Sequence, residues 1–264
     1  MSIYLGSTVA TYNYYAKNSA AALKQQAADP QVKTETAYFR ANIGKVKTVD
    51  DLIGNYRLFN YAMTAYGLSD MTHAKAYMKK VITSDLSDSK SFANKLADNR
   101  FVNFAKAFSN LNPNASAALY APASADDVVK AYLQQSIEET LGQNDQGVQL
   151  ALYFKRVAPS VKSAYGLLGD SALWKVVQTT FGLPENMGKV DVKTQKSIVD
   201  AKLKVADLQD PAKLDKLLAR FTAIWDATQN AASAPVLQLF DTSGAGGTLG
   251  YNVGASLLNL RYGG

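Results

Sequence analysis

A single histidine, His73, and no cysteine occur in 264 residues. Any Ser-His-Asp relay would have to run through that one imidazole, and thiolate catalysis, disulfides and the usual Cys/His zinc sites lack their ligands. His73 lies in Met71-Thr72-His73-Ala74-Lys75, beside a predicted helix start and far from any nucleophile motif, so it reads as a structural histidine at or near the surface. Gly244-Ala245-Gly246-Gly247-Thr248-Leu249-Gly250 has the glycine content of a phosphate-cradling loop. It lacks the Gly-Lys-Ser/Thr of a P-loop and the βαβ setting of a dinucleotide fingerprint. Asp241-Thr242-Ser243-Gly244 departs from the Asp-Thr-Gly of aspartic proteases by an inserted serine, and no second copy follows. Glu138-Glu139 and Asp126-Asp127 are adjacent carboxylates, and neighbours on a helix point about 100° apart, so neither pair converges on one substrate atom. Acid, base and nucleophile therefore do not come together. The expectation is a non-enzymatic protein with no catalytic residues, no cofactor and no metal site.

Helical spacing dominates from about Tyr12 to Asn230. Leu52, Tyr56, Phe59, Met63 and Tyr66 recur at steps of four and three, which predicts one face of a single helix. Thr48-Val49-Asp50-Asp51 supplies its capping box, and Gly67 its left-handed stop. Phe101, Phe104, Ala105 and Phe108 predict a second amphipathic segment, and Leu214, Leu217, Leu218, Phe221 and Trp225 a third. Asp29-Pro30 and Asp210-Pro211 each place a capping acceptor before a proline at the first helical position. Ser124-Ala125-Asp126-Asp127 opens a long helix that ends between Gly142 and Gly147.

The chain also echoes itself. Leu52-Ile53-Gly54 is matched by Leu167-Leu168-Gly169, Leu58-Phe59 by Leu173-Trp174, and Tyr66-Gly67-Leu68 by Phe181-Gly182-Leu183, all at an offset of 115 residues. Asp85-Leu86-Ser87-Asp88 is echoed by Asp207-Leu208-Gln209-Asp210 and Arg100-Phe101 by Arg220-Phe221, at offsets of 122 and 120. The fold expected is all-α: two related helical-bundle repeats sharing a core, with an irregular Gly-rich C-terminal tail. The first unit with its leading helices is placed at residues 1–110, a connection rich in Ala, Asn, Ser and Pro at 111–123, the second unit at 124–232 and the tail at 233–264. Val253 to Leu260 reads as a short strand or a last helical turn. Leu257, Leu258 and Tyr262 in that tail are the interface candidates.

Composition narrows the partners. Hydrophobic residues make up 47% of the chain, ample for a core, and 28 Lys+Arg against 22 Asp+Glu leave a net charge of +6. The basic residues form no tract suited to a nucleic-acid backbone. Lys75-Lys79-Lys80 and Lys189-Lys193-Lys196 read as solvated helix faces. The tyrosines, among them Tyr4, Tyr12, Tyr14 and Tyr15, suit either a core or an interface. No apolar run reaches the ~20 residues of a membrane span. The polar start, Met1 to Tyr15, does not read as a cleaved secretory signal.

Tyr38-Phe39-Arg40-Ala41-Asn42-Ile43-Gly44-Lys45-Val46, then Thr48-Val49-Asp50-Asp51-Leu52, Arg57-Leu58-Phe59, Tyr61-Ala62-Met63, Ala65-Tyr66-Gly67-Leu68, Ala74-Lys75-Ala76-Tyr77-Met78-Lys79-Lys80-Val81 and Ser91-Phe92-Ala93-Asn94-Lys95-Leu96-Ala97-Asp98 carry a resemblance. They resemble a family of bacterial proteins named only as a domain of unknown function, whose members often lie in flagellar gene clusters. The resemblance is strongest from about Ala37 to Phe108 and implies a context, the flagellum or its assembly, with no catalytic or cofactor residues to carry over. Its implied partners are other flagellar proteins, reached by leaderless export through the flagellar type III route. The alternative implied is a cytoplasmic adaptor or chaperone that holds a flagellar export substrate. The chain lacks the long terminal heptad repeats of rod, hook and filament proteins.

Overall fold

The computed structural model describes residues 3–113 and 121–228. Among them the chain is all-α, with no strand. The helices are α1 (Thr8–Lys17), α2 (Ser19–Ala27), α3 (Pro30–Ile43), α4 (Val49–Gly54), α5 (Tyr56–Ala65), α6 (Lys75–Ile82), α7 (Asn99–Ala107), α8 (Ala125–Gly142), α9 (Gln146–Val157), α10 (Ala164–Leu168), α11 (Ser171–Phe181), α12 (Val192–Lys202) and α13 (Pro211–Thr228). One compact unit runs to Asp226. A second comprises 227–264, of which only the last two residues of α13 are described.

Local chemistry sets most helix starts. Asp29 accepts from the N–H groups of Gln31 and Val32 ahead of α3, and Asp210 accepts from Ala212 and Lys213 ahead of α13. Each follows the expected Asp-Pro pattern. Thr48 and Asp51 exchange side-chain-to-backbone hydrogen bonds in a full capping box, as do Ser124 and Asp127. Asp98, Asp145, Asp170 and Asp191 cap α7, α9, α11 and α12 in the same manner.

The helix predicted across Leu52 to Tyr66 is two helices. Asn55 leaves the helical conformation, and its side chain accepts from the Leu58 N–H to start α5 afresh. The resulting turn leaves Tyr56 63% exposed. The buried face of α5 is carried by Leu58, Phe59, Tyr61, Ala62, Met63 and Ala65.

Two main cores form. The first joins α3 to the beginning of α8 around Phe39, Phe59, Met63, Met78 and Phe104, and includes Val128 and Val129 of α8. Phe39, Tyr61 and Tyr132 stack through it, with ring centroids 4.5 Å and 3.8 Å apart. The second gathers Phe154, Leu167, Val176, Val199, Leu218 and Phe221, and takes Tyr12 from α1. A small cluster of Tyr15, Ala22, Ile137, Leu141 and Val148 lies where α1 and α2 meet α8 and α9. The α8–α9 hairpin therefore passes from one core to the other. At the start of α1, the Asp226 carboxylate of α13 accepts from the N–H groups of Thr8 (2.7 Å) and Val9 (3.0 Å).

Residues 49–82 and 164–202 set out the same order: a short helix, a break, a side-chain-capped helix, a glycine, a 3-10 turn and another helix. Asn55 and Asp170 cap the second helix in each stretch. Gly67 and Gly182 follow it with φ of +68° and +61°, a conformation that glycine takes at least cost. The later echoes occupy unlike positions. Arg100 stands in the first turn of α7, whereas Arg220 stands in the middle of the longer α13.

Candidate functional site

Two features of the compact unit combine polar chemistry with space. One is a buried brace on the α8–α9 hairpin. Glu138 has a side chain only 5% exposed, and Arg156 one 24% exposed. Arg156 donates through Nε and Nη2 to the two Glu138 carboxylate oxygens, at 2.8 Å and 2.7 Å, a two-pronged pairing suited to the planar guanidinium. Its Nη2 also reaches Gln135 Oε1 at 2.9 Å, and the Gln135 amide donates to Glu139 at 3.0 Å. Alongside, the Tyr153 hydroxyl donates to Asp170 at 2.6 Å while the other Asp170 oxygen caps α11. Arg100 holds Asp98 through Nε and Nη2 and donates to the Gly67 carbonyl through Nη1.

These groups border a cleft of about 350 Å³ lined by Gly67, Arg100, Gln135, Glu138, Tyr153 and Lys175, among others. Burial pushes the Glu138 carboxyl up, with Arg156 pulling it back. Burial also works against the Arg156 cation, but Glu138 outweighs it and holds the guanidinium above its ordinary pKa. Glu139 is raised by burial, and the Tyr153 hydroxyl by burial and then by Asp170. Each of these charges has a counter-charge or a hydrogen-bond partner, Lys175 finding its own in Glu185 outside the cleft lining. The Arg156–Glu138 pair thus fixes α8 against α9, Tyr153 and Asp170 tie α9 to the start of α11, and Arg100 ties the start of α7 to the turn after α5.

The other feature is an open groove of about 720 Å³ between residues 94–106 and 160–195. Lys95, Lys106 and Lys162 stand on its lining, and no aspartate or glutamate does. Lys95 and Lys162 are exposed and belong to no ion pair among the described residues. Lys79, Lys155, Lys175, Lys196 and Lys213, by contrast, each reach a carboxylate. Half-buried Leu96, Val102 and Leu168 give the groove apolar surface, and Tyr165 and Val192 are 45% and 51% exposed beside them.

One close approach fixes how the groove's two sides meet. At Gly169 an added methyl group would sit 2.1 Å from the Ala97 carbonyl oxygen, so only glycine allows the two backbones to lie this close.

The residues singled out in the sequence distribute differently. His73 is exposed on the loop before α6. Asp127 is spent on its capping box and Asp126 pairs with Arg40. Glu138 and Glu139 diverge, one to Arg156 and one to Gln135. In the two lysine stripes, Lys79 is held by Asp50 at 2.6 Å and Lys196 by Asp200; Lys75, Lys80, Lys189 and Lys193 are exposed. The tail candidates Leu257, Leu258 and Tyr262, like the Gly244–Gly250 loop and Asp241, lie outside the described residues. The groove lysines were not legible as a set, because 95, 106 and 162 meet only in the folded chain. No helix among the described residues is long and apolar enough to cross a membrane.

A family model described as a protein of unknown function (DUF1217) matches residues 65–214. The chain belongs to this family. The matched span takes in both the brace and the groove; it overlaps the 37–108 stretch of strongest sequence resemblance at 65–108 and continues beyond it to 214. Protein AGR_C_984 from Agrobacterium tumefaciens, known from its crystal structure, is 39% identical to this chain, which it resembles with a TM-score of 0.76. The similarity covers 87% of this chain and 97% of that one. No curated protein matches.

Proposed function

We propose that this chain is a non-enzymatic, flagellum-associated protein that acts in structure or assembly by contacts with other flagellar proteins, and that it leaves the cytoplasm by the flagellar type III route. The observation that carries the contact reading is the contrast between the two polar features. In the buried brace, the charges are spent on one another and hold helices together. In the groove, Lys95 and Lys162 face solvent without a carboxylate, next to exposed Tyr165 and Val192. An open surface that combines cations with apolar area is what a protein partner would cover. The flagellar context rests on the resemblance of residues 38–98. A cysteine-free helical chain is compatible with export that requires unfolding and refolding.

The test is fractionation of the native host carrying a tagged copy, with and without a functional flagellar export ATPase. The expected result is ATPase-dependent recovery of the protein in the medium or with purified hook-basal bodies. Strict retention in the cytosol, unchanged by loss of the ATPase, would overturn the export reading and favour a cytoplasmic adaptor.

A further inference from the structure

We infer that the groove between residues 94–106 and 160–195 receives an extended acidic segment of a partner protein, one that places an apolar side chain between its carboxylates. This deepens the contact reading above and rests on it.

Charge is the first argument. No carboxylate lines the groove, and Lys95 and Lys162 on its lining are exposed and in no ion pair among the described residues, so these two leave a local positive charge that the lining does not neutralise. Such a surface favours an anionic partner and steers its approach. Size is the second. At about 720 Å³ the groove falls within the roughly 300–1,000 Å³ of ligand clefts, which is room for several side chains and far more than an inorganic ion needs.

Lining chemistry is the third argument. Leu96, Val102 and Leu168 offer apolar contact between the lysines, which a peptide side chain would use and a phosphate backbone would not. Lysine ammonium groups, with no arginine among the lining residues, provide point charges for carboxylates and lack the planar fork that favours phosphate. Tyr165 is the one aromatic on the lining, too few for a row of stacked bases. The Ser163 hydroxyl is not consumed in capping α10 and lines one side of the groove while the Asn103 amide lines the other, so both are placed to bond a peptide backbone. The Gly169–Ala97 approach joins the two sides without intervening side chains, so little ordering is required when a segment binds.

The experiment is fluorescence anisotropy of the full chain with a labelled peptide carrying glutamates on both sides of one leucine. Controls are the same peptide with glutamine for glutamate, the same peptide with lysine for glutamate, and a single-stranded oligonucleotide of equal charge. The expected result is binding that weakens at least about tenfold in the glutamine peptide and in a K95E/K162E variant, with the lysine peptide gaining affinity for that variant. Both lysines are exposed, and an unchanged thermal midpoint would establish that the variant is folded. Equal binding of the glutamate and glutamine peptides, an affinity unmoved by K95E/K162E, or preference for the oligonucleotide would each overturn the inference. Failure here alongside ATPase-dependent export in the host would leave the flagellar reading standing; peptide binding by a chain that never leaves the cytosol would do the reverse.

Discussion

Arg156 and Glu138 show at the residue scale why the interior charges act as a brace. Breaking such a buried pair from one side leaves an uncompensated charge and costs about 3–5 kcal/mol, whereas replacing both partners with apolar groups is often neutral. R156M is therefore expected to lower the urea midpoint sharply and E138L/R156M to recover most of the loss, a pattern read directly from equilibrium unfolding. Ionisation splits the carboxylates into two kinds. Asp51 is held below the usual range by the Lys47 N–H and by Thr48, and Asp127 by Ser124. Their stabilisation is present above the usual aspartate value and disappears as pH falls through their lower folded values. Glu139 is raised by burial, so its ionisation opposes folding progressively as pH rises from the ordinary glutamate value to the raised folded one, and protonation relieves this as pH falls. E139Q is expected to raise stability at pH 7 and to flatten the slope between the ordinary glutamate value and the raised one. D127A is expected to reduce stability at neutral pH and to shrink the acid limb, and unfolding titrations across pH separate the two.

At the scale of the elements, three glycines should respond differently to the same substitution. Gly54 has ordinary φ and nothing within 4 Å of an added methyl group, so G54A is expected to leave stability unchanged or raise it by up to ~1 kcal/mol. Gly182 has equally open space but φ of +61°, so G182A should cost about 1–2 kcal/mol through backbone strain alone. Gly169 has ordinary φ and a backbone oxygen in its path, so G169A should cost about 1–3 kcal/mol or more through overpacking. Thermal midpoints of the three variants check the order. The helix starts were legible in the sequence because caps are local: Asp29-Pro30, Thr48-Asp51 and Ser124-Asp127 act within one turn. The break at Asn55 was hidden because the apolar spacing runs on across it, and only the Asn55 side-chain bond to Leu58 shows where one helix yields to the next. Gly67 and Gly182 were legible for the opposite reason, since a left-handed stop has one favoured residue. The brace and groove were illegible because their members come from distant segments, and Arg156, Lys95 and Lys162 carry no motif around them.

At the scale of the molecule, the first and last described helices are tied by one carboxylate. Asp226 accepts two N–H bonds from the start of α1, and α1 in turn delivers Tyr12 to the second core. D226A is expected to speed hydrogen exchange of the α1 amides more than those of α5 or α9, because α1 loses its anchor while the main cores keep their packing. The hairpin of α8 and α9 keeps those cores together and so holds the groove in a fixed shape on the outside of the same unit. The proposed function by contact draws on that arrangement: braced charge inside, and Lys95 and Lys162 facing solvent outside. The most direct test is to replace the chromosomal copy in the native host with K95E/K162E, confirm equal protein level by immunoblot, and count flagella per cell. The expected result is a loss of assembled flagella and of swimming; wild-type flagellation at the same protein level would contradict the proposed contact function.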